Sequence, residues 1–305
     1  MSTSAVPETT FAPYQTQKER FHTILFATDF SPESQAALRE AIATARAYEA
    51  RLVVLHVLAP EMVYEMAPEA LVVPVHSRRR WAEAEMTQLL ISGCLRDILH
   101  EAQIIEGPID LVLDKVIKSE SADLVVVGSH GLTGARKLIF GSVAETIFRT
   151  VPCPVLVVGP NANAKEEINC SVHGVLWATS LSSEGDPSIH YALSLAQEHQ
   201  ARLTLLHVWQ ASKTAAPGDG DRLRHEAVRK LEKYLPAETG LWFRASALVT
   251  EGPPEEEIVA AARAVKADRI VLGVRRGHKL ASHLPGTIAY EVVRQAPCPV
   301  LIVPN

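Results

Sequence analysis

At 305 residues the chain has room for two domains of ordinary size, and 47% hydrophobic with 21% charged residues is the composition of a soluble globular protein with ample core. A formal net charge of −5 gives nucleic acid no footing, and no apolar run reaches the roughly 18 residues that a membrane span needs. Cys94, Cys153, Cys170 and Cys298 lack metal-ligand spacing, and a chain this long does not depend on disulfides, so a reduced, cytoplasmic protein is expected.

Residues 1–20 lack the basic start and apolar core of a signal peptide and read as a flexible tail. The first strand pattern runs from Phe21 to Ala27 and ends in Thr28-Asp29. Ser31-Pro32-Glu33 then starts a helix, with Ser31 as N-cap and proline at the first helical position. Ala37, Leu38, Ala41, Ile42 and Ala45 recur at helical spacing and supply its buried face. Leu52–Val57 is a second buried strand, which completes a βαβ unit. From Leu58 to Arg80 the chain reads as a loop ending in three arginines, and Trp81–His100 reads as a helix. Gln103–Glu106 is a short third strand, Ile109–Glu120 a helix, and Leu124–Val127 a wholly apolar, β-branched fourth strand. A helix over Val143–Thr150, a stop at Pro152-Cys153-Pro154 and a fifth strand over Val155–Val158 close the series.

The loop after the fourth strand carries the chemistry. Gly128 is followed after two residues by Gly131 and after nine more by Gly141-Ser142, where the helical pattern begins. Backbone without Cβ approaches an anion closely, and the free N–H groups of a helix start point at it. Ser142 suits an N-cap, and its hydroxyl has the reach to meet a phosphate oxygen. The run therefore reads as a phosphate cradle. It is neither a Walker loop nor the tighter dinucleotide fingerprint.

The second half repeats the first. LFATDF at Leu25–Phe30 returns as LWATSL at Leu176–Leu181, LVVLHV at Leu52–Val57 as LTLLHV at Leu203–Val208, and PCPVLVV at Pro152–Val158 as PCPVLIV at Pro297–Val303. EGP at Glu106–Pro108 recurs at Glu251–Pro253, and from there the copies align without a gap at an offset of 145 residues. The chain divides into a tail (1–20), a first domain (21–160), a polar linker (161–167) and a second domain (168–305). Strands alternating with helices predict an α/β fold of two tandem open five-stranded parallel sheets with helices on both faces.

Through the Gly128–Gly131–Gly141-Ser142 spacing the chain resembles the universal stress protein family, and the likeness covers nearly everything after residue 20. The resemblance implies a Rossmann-like strand order of 3-2-1-4-5 in each copy. It also implies ATP, together with Mg2+, as the cofactor of the first domain. By position, Ala27, Thr28 and Asp29 match the family's first-strand nucleotide contacts. Val57 matches the position whose backbone meets adenine. Gly128, Gly131, Gly141, Ser142 and Val143 match the phosphate-binding positions. The last strands, Val155–Val158 and Leu301–Val303, are implied to pair, making an intramolecular pseudo-dimer, with a further homodimer open.

The second copy departs at two positions. Ser180 replaces Asp29, removing a carboxylate, and Arg276 replaces Gly131, placing a side chain where the backbone is to be bare. The second copy is therefore expected not to bind ATP in the family manner, although Arg275, Arg276 and Lys279 leave another ligand open. No paired carboxylates, general base or metal cluster accompanies the cradle, so no residue is assigned to catalysis and no metal site to the protein. The expected role is a nucleotide-responsive stress module whose partner is an adenine nucleotide, rather than nucleic acid or membrane. A slow ATPase or self-phosphorylating enzyme, and a nucleotide-independent interaction scaffold, are the alternatives.

Overall fold

The computed structural model describes residues 9–12, 20–59, 75–129, 151–162, 171–182, 186–210, 219–235, 240–274 and 287–305. In chain order the elements are β1 (Thr9–Ala12), β2 (Thr23–Ala27), α1 (Pro32–Tyr48), β3 (Arg51–Leu58), α2 (Val75–Ile91), β4 (His100–Glu106), α3 (Ile109–Glu120), β5 (Leu124–Gly128) and β6 (Val155–Val158). They continue with β7 (Gly174–Thr179), α4 (Ser188–His199), β8 (Arg202–Trp209), α5 (Asp219–Glu232), β9 (Gly240–Glu251), α6 (Pro254–Val265), β10 (Arg269–Val274), α7 (Ile288–Gln295) and β11 (Val300–Pro304). They form two units, one built on Phe21–Pro160 and the other on Ser171–Asn305 together with β1.

In the amino-terminal unit the strands lie in the order β4-β3-β2-β5-β6, all parallel, which is the expected 3-2-1-4-5. The carboxyl-terminal unit repeats it as β9-β8-β7-β10-β11. With the right-handed crossovers that parallel strands follow, this order puts α1 and α2 on one face of the first sheet and α3 on the other, so the connections diverge between β2 and β5. Apart from Thr23 at the start of β2 these central strands are apolar, and they are buried up to Gly128, as strands covered on both faces must be.

Local chemistry sets each boundary. Ser31 caps α1 in extended geometry, its side chain accepting from the Ser34 N–H, with Pro32 next. Helices α1, α3, α4 and α6 all end on a non-glycine residue in the left-handed region, Glu49, Ser121, Gln200 and Lys266. An alanine follows each and donates its N–H back into the helix: Ala50, Ala122, Ala201 and Ala267. The strand after each helix starts at a fixed angle as a result.

A carboxylate staple then sets the strands against one another. Asp123, just before β5, accepts from the backbone N–H groups of His22 (2.7 Å) and Thr23 (3.3 Å) at the start of β2. Asp268 does the same for His173 (2.8 Å) and Gly174 (3.1 Å) in the other unit. Burial raises the Asp123 carboxyl above its ordinary value, outweighing the opposing pull of the two amides.

Three expectations are corrected. Helix α2 spans Val75–Ile91, so the arginine triplet lies inside it: Arg79 pairs with Glu83 and Glu106, and Arg78 donates to the Ala59 carbonyl. Gly93, with φ of 80°, ends the helical course well before His100, and β4 begins there instead of at Gln103. Leu95 and Ile98, whose spacing suggested helix, are buried from within turns. The stretch read as a flexible tail contains β1, which pairs antiparallel with β9 through Thr9↔Ala245 and Thr10↔Arg244.

Candidate functional site

Ligands of open parallel sheets bind beyond the carboxyl ends of the strands where the connections diverge. Of the sequence-predicted site residues, Ala27, Thr28, Asp29, Val57 and Gly128 fall at the ends of β2, β3 and β5, three adjacent strands. Gly131, Gly141, Ser142 and Val143, with the predicted helix over Val143–Thr150, lie outside the described residues. The counterpart of Ser142 in the second unit is Thr287, and it caps α7, accepting from the Tyr290 N–H.

The turn after β2 is tightly specified. Thr28 Oγ1 accepts from the Phe30 N–H at 2.9 Å and shares a 2.6 Å hydrogen bond with Ser34 Oγ, while the Thr28 N–H donates to the Leu55 carbonyl. Phe30 is held at φ of 59°, a region that costs a non-glycine residue about 1–2 kcal/mol. Asp29 Oδ1 accepts from both the Ser31 N–H (3.0 Å) and Ser31 Oγ (2.6 Å), fixing the serine that caps α1. The aspartate thus has a structural task and also stands at the mouth of the crevice, half-buried.

Val57 is placed by its backbone. In β3 the hydrogen-bonding groups of Arg51 and Leu55 face β2, bonding His22 and Thr28, whereas those of Leu52 and Leu58 face β4, bonding Leu99 and Gly107. By this alternation Val57 directs its N–H and C=O toward β2. That strand has already ended at Ala27, opposite Leu55. Among the described residues the edge of β3 at Val57 is therefore open to a flat partner able to hydrogen-bond like a missing strand.

Sequence reasoning assigned no role to His56, which locks this corner. Its Nδ1–H donates to the Thr28 carbonyl at 2.8 Å, and its ring contacts Phe30 at 4.8 Å between centroids. Trp81 from α2 closes over both, 5.7 Å from Phe30 and 6.0 Å from His56. The signal was in the repeat: the histidine of LHV occurs in both copies, and His207 bonds the Thr179 carbonyl at 2.9 Å in the same manner. Burial depresses the pKa of His56 more than the Thr28 bond and the Asp29 charge raise it, and His207 is likewise lowered chiefly by burial. His199 is lowered too, by burial and then by Arg269.

These three imidazoles take up protons more readily in the unfolded chain, whose value is near 6.5. Stability is accordingly full above that pH and falls as pH drops below it, by up to about 1.4 kcal/mol per pH unit for each group that stays neutral in the fold. Urea midpoints measured from pH 7.5 to 5.5 should therefore decline in the lower half of the range, and His56→Gln should flatten the decline. A pH-independent midpoint would mean that these rings protonate in place.

The second unit reproduces the turn with altered chemistry. Thr179 Oγ1 accepts from the Leu181 N–H at 3.3 Å, and Leu181 has φ of 54°. Ser180, at the position of Asp29, instead shares a 2.6 Å hydrogen bond with Ser182. The expected loss of a carboxylate is only local, because Asp186 enters the same crevice. Its Oδ1 accepts from the Ser188 N–H (3.0 Å) and Ser188 Oγ (2.6 Å), a copy of the Asp29–Ser31 arrangement displaced along the chain. Arg276 and the rest of 275–286 lie outside the described residues.

Among the described residues no cluster of three or more His, Cys, Asp or Glu stands ready to hold a metal ion. A Mg2+ ion would fit here only as magnesium usually binds, through one carboxylate such as Asp29 together with the ligand's phosphates. No helix among the described residues is long and apolar enough to cross a membrane.

Comparison with known proteins identifies the family and the fold. Residues 20–159 and 172–304 each match the universal stress protein family. A universal stress protein of Thermus aquaticus is 34% identical over 145 residues, covering 45% of this chain and 98% of that protein. One from Mycolicibacterium smegmatis is 27% identical over 195 residues, covering 61% of this chain and 63% of that one. Among solved structures, a universal stress protein from Archaeoglobus fulgidus superposes with a TM-score of 0.65 at 20% identity, covering 93% of this chain and 96% of its own. A functionally unknown protein from Pseudomonas aeruginosa PAO1 gives 0.61 at 18% identity, covering 93% and 92%. At these identities the structures speak for the fold alone.

Proposed function

Because the chain belongs to the universal stress protein family, we propose that its amino-terminal unit binds ATP or a related adenine nucleotide with Mg2+, and that the protein serves in the cytoplasm as a nucleotide-responsive regulatory module. The observation that carries this reading is the open backbone edge at Val57, set beside the rigid Thr28–Ser31 turn and the end of β5 at Gly128. An adenine edge, with a donor and an acceptor side by side, complements such a peptide group, and the ribose then lies toward Asp29. Gly128, Gly131, Gly141, Ser142 and Val143 would hold the phosphates with backbone N–H groups and the Ser142 hydroxyl. Magnesium supplies neutralisation of the phosphate charge.

The test is the nucleotide content of protein purified without added ATP, read by acid release and chromatography, and then titration of the stripped chain with ATP and Mg2+. About one adenine nucleotide per chain is the expected result. No nucleotide and no binding on titration would sink the reading.

A further inference from the structure

The two units share one register through their first strand, helix and second strand: Leu25, Thr28 and Arg51 correspond to Leu176, Thr179 and Arg202. On that register Asp186 corresponds to Gln35, which lies inside α1 and lines a cavity of about 270 Å³ between α1 and α2. In the second unit the helix begins only at Ser188. Pro187 is the cause, since proline lacks an N–H and pushes the residue before it out of helical geometry. Asp186 is thereby released from a helical position into the crevice.

There it is buried, 8% exposed, with its carboxylate against the end of β10. A Cβ built on Gly273, the counterpart of Gly128, would lie 2.6 Å from Asp186 Oδ1 and 2.9 Å from Oδ2. The place where a phosphate would approach bare backbone is thus taken by a negative charge. Oδ1 is well supplied, by Ser188 and by Asn305 Nδ2 at 3.2 Å, whereas among the described residues Oδ2 receives one long bond, from Thr179 Oγ1 at 3.4 Å. The crevice measures about 360 Å³, within the range of small-molecule sites. Ser180, Ser182 and Thr287 supply hydroxyls, and Val208, Ile258 and Ile288 supply apolar wall.

We propose that the carboxyl-terminal crevice is a nucleoside site: it takes a neutral, diol-bearing nucleoside and excludes nucleotides. Asp186 Oδ2 accepts from the ligand's hydroxyls, and the apolar wall covers the base. Val208 stands at the position of Val57 and offers the same kind of edge, since β7 ends at Thr179, opposite His207. The choice of a nucleoside rests on the adenine-nucleotide reading of the first unit. The exclusion of phosphate rests on Asp186 and Gly273 alone.

The test is uptake of radiolabelled adenosine by the full chain saturated with ATP and Mg2+. The expected result is about one adenosine per chain, bound without displacing ATP. Asp186→Asn keeps the Oδ1 acceptor for Ser188, so the start of α4 survives. In that variant adenosine affinity should fall about tenfold, as for loss of a hydrogen bond to a charged group, and ATP uptake should rise by one per chain. Ile288→Trp, at a wall position 46% exposed, should block adenosine while leaving Asp186 in place. No adenosine uptake, uptake that survives both substitutions, or two ATP on the unaltered chain would overturn the proposal. If the chain takes no ATP, the first-unit reading falls by itself, and Asp186-dependent uptake of adenosine by the ATP-free chain still decides the second.

Discussion

Trp177→Ala will lower the stability of the carboxyl-terminal unit by about 4 kcal/mol, in the range measured for large aromatic truncations in well-packed cores. The indole is wholly buried in β7, meets Tyr234 edge-on at 4.9 Å, and donates from Nε1 to Ser188 Oγ at 2.7 Å. Alanine removes the ring and also cuts a chain that runs from Trp177 through Ser188 to Asp186. With a urea dependence of about 2 kcal/mol per molar, the transition of that unit should move down by about 2 M, followed by far-UV circular dichroism. Trp177→Phe should recover more than half of the loss, because Phe26 fills the same position in the first unit with no nitrogen to satisfy. A shift below about 0.5 M for the alanine variant would contradict the packing described here.

Gly131→Arg, which writes the second copy's residue into the first, should weaken ATP binding by about 100-fold, equivalent to about 2.7 kcal/mol. The argument is steric: a cradle of backbone N–H groups works at close approach, and a long side chain on it forces the phosphate outward. Calorimetric titration with ATP and Mg2+ measures the affinity, and an unaltered melting temperature without ligand excludes unfolding as the cause. Asp29→Ser, the other natural difference, should act differently, loosening Ser31 and the cap of α1 as well as the crevice. Unchanged affinity in Gly131→Arg would mean that the phosphates are held elsewhere.

Much of the fold was legible because the chain is written twice. Two occurrences of an apolar LVVL-type run, of EGP and of PCPV fix strands and turns that one occurrence would leave ambiguous, whereas the strand order came only with the family resemblance. Thr28, Asp29, Val57 and Gly128 were named through the family resemblance, and the structure sets them at the ends of three neighbouring parallel strands. Three kinds of feature were not legible. The end of α2 turns on Gly93 in the left-handed region, whereas Leu95 and Ile98 continue an apolar rhythm that belongs to turns packed on the core. The role of His56 depends on a carbonyl across the sheet, which only its recurrence as His207 hinted at. Nothing in the sequence singled out Asp186 as a site residue, although Pro187 beside it makes the helix start late and sets the carboxylate loose.

The pairing of β1 with β9 has a bearing on the order in which the protein is made. Thr9 finds its partner at Ala245, so β1 waits for a segment translated more than two hundred residues later. At ordinary elongation rates that delay is on the order of 10–50 s, long after β2 to β6 have had time to fold. Until then the outer edge of β9 does not yet exist, and β1 is a strand without a sheet. A chain stalled or cut before residue 240 would carry that orphan strand permanently, which makes the pairing of β1 a reporter that synthesis has passed β9.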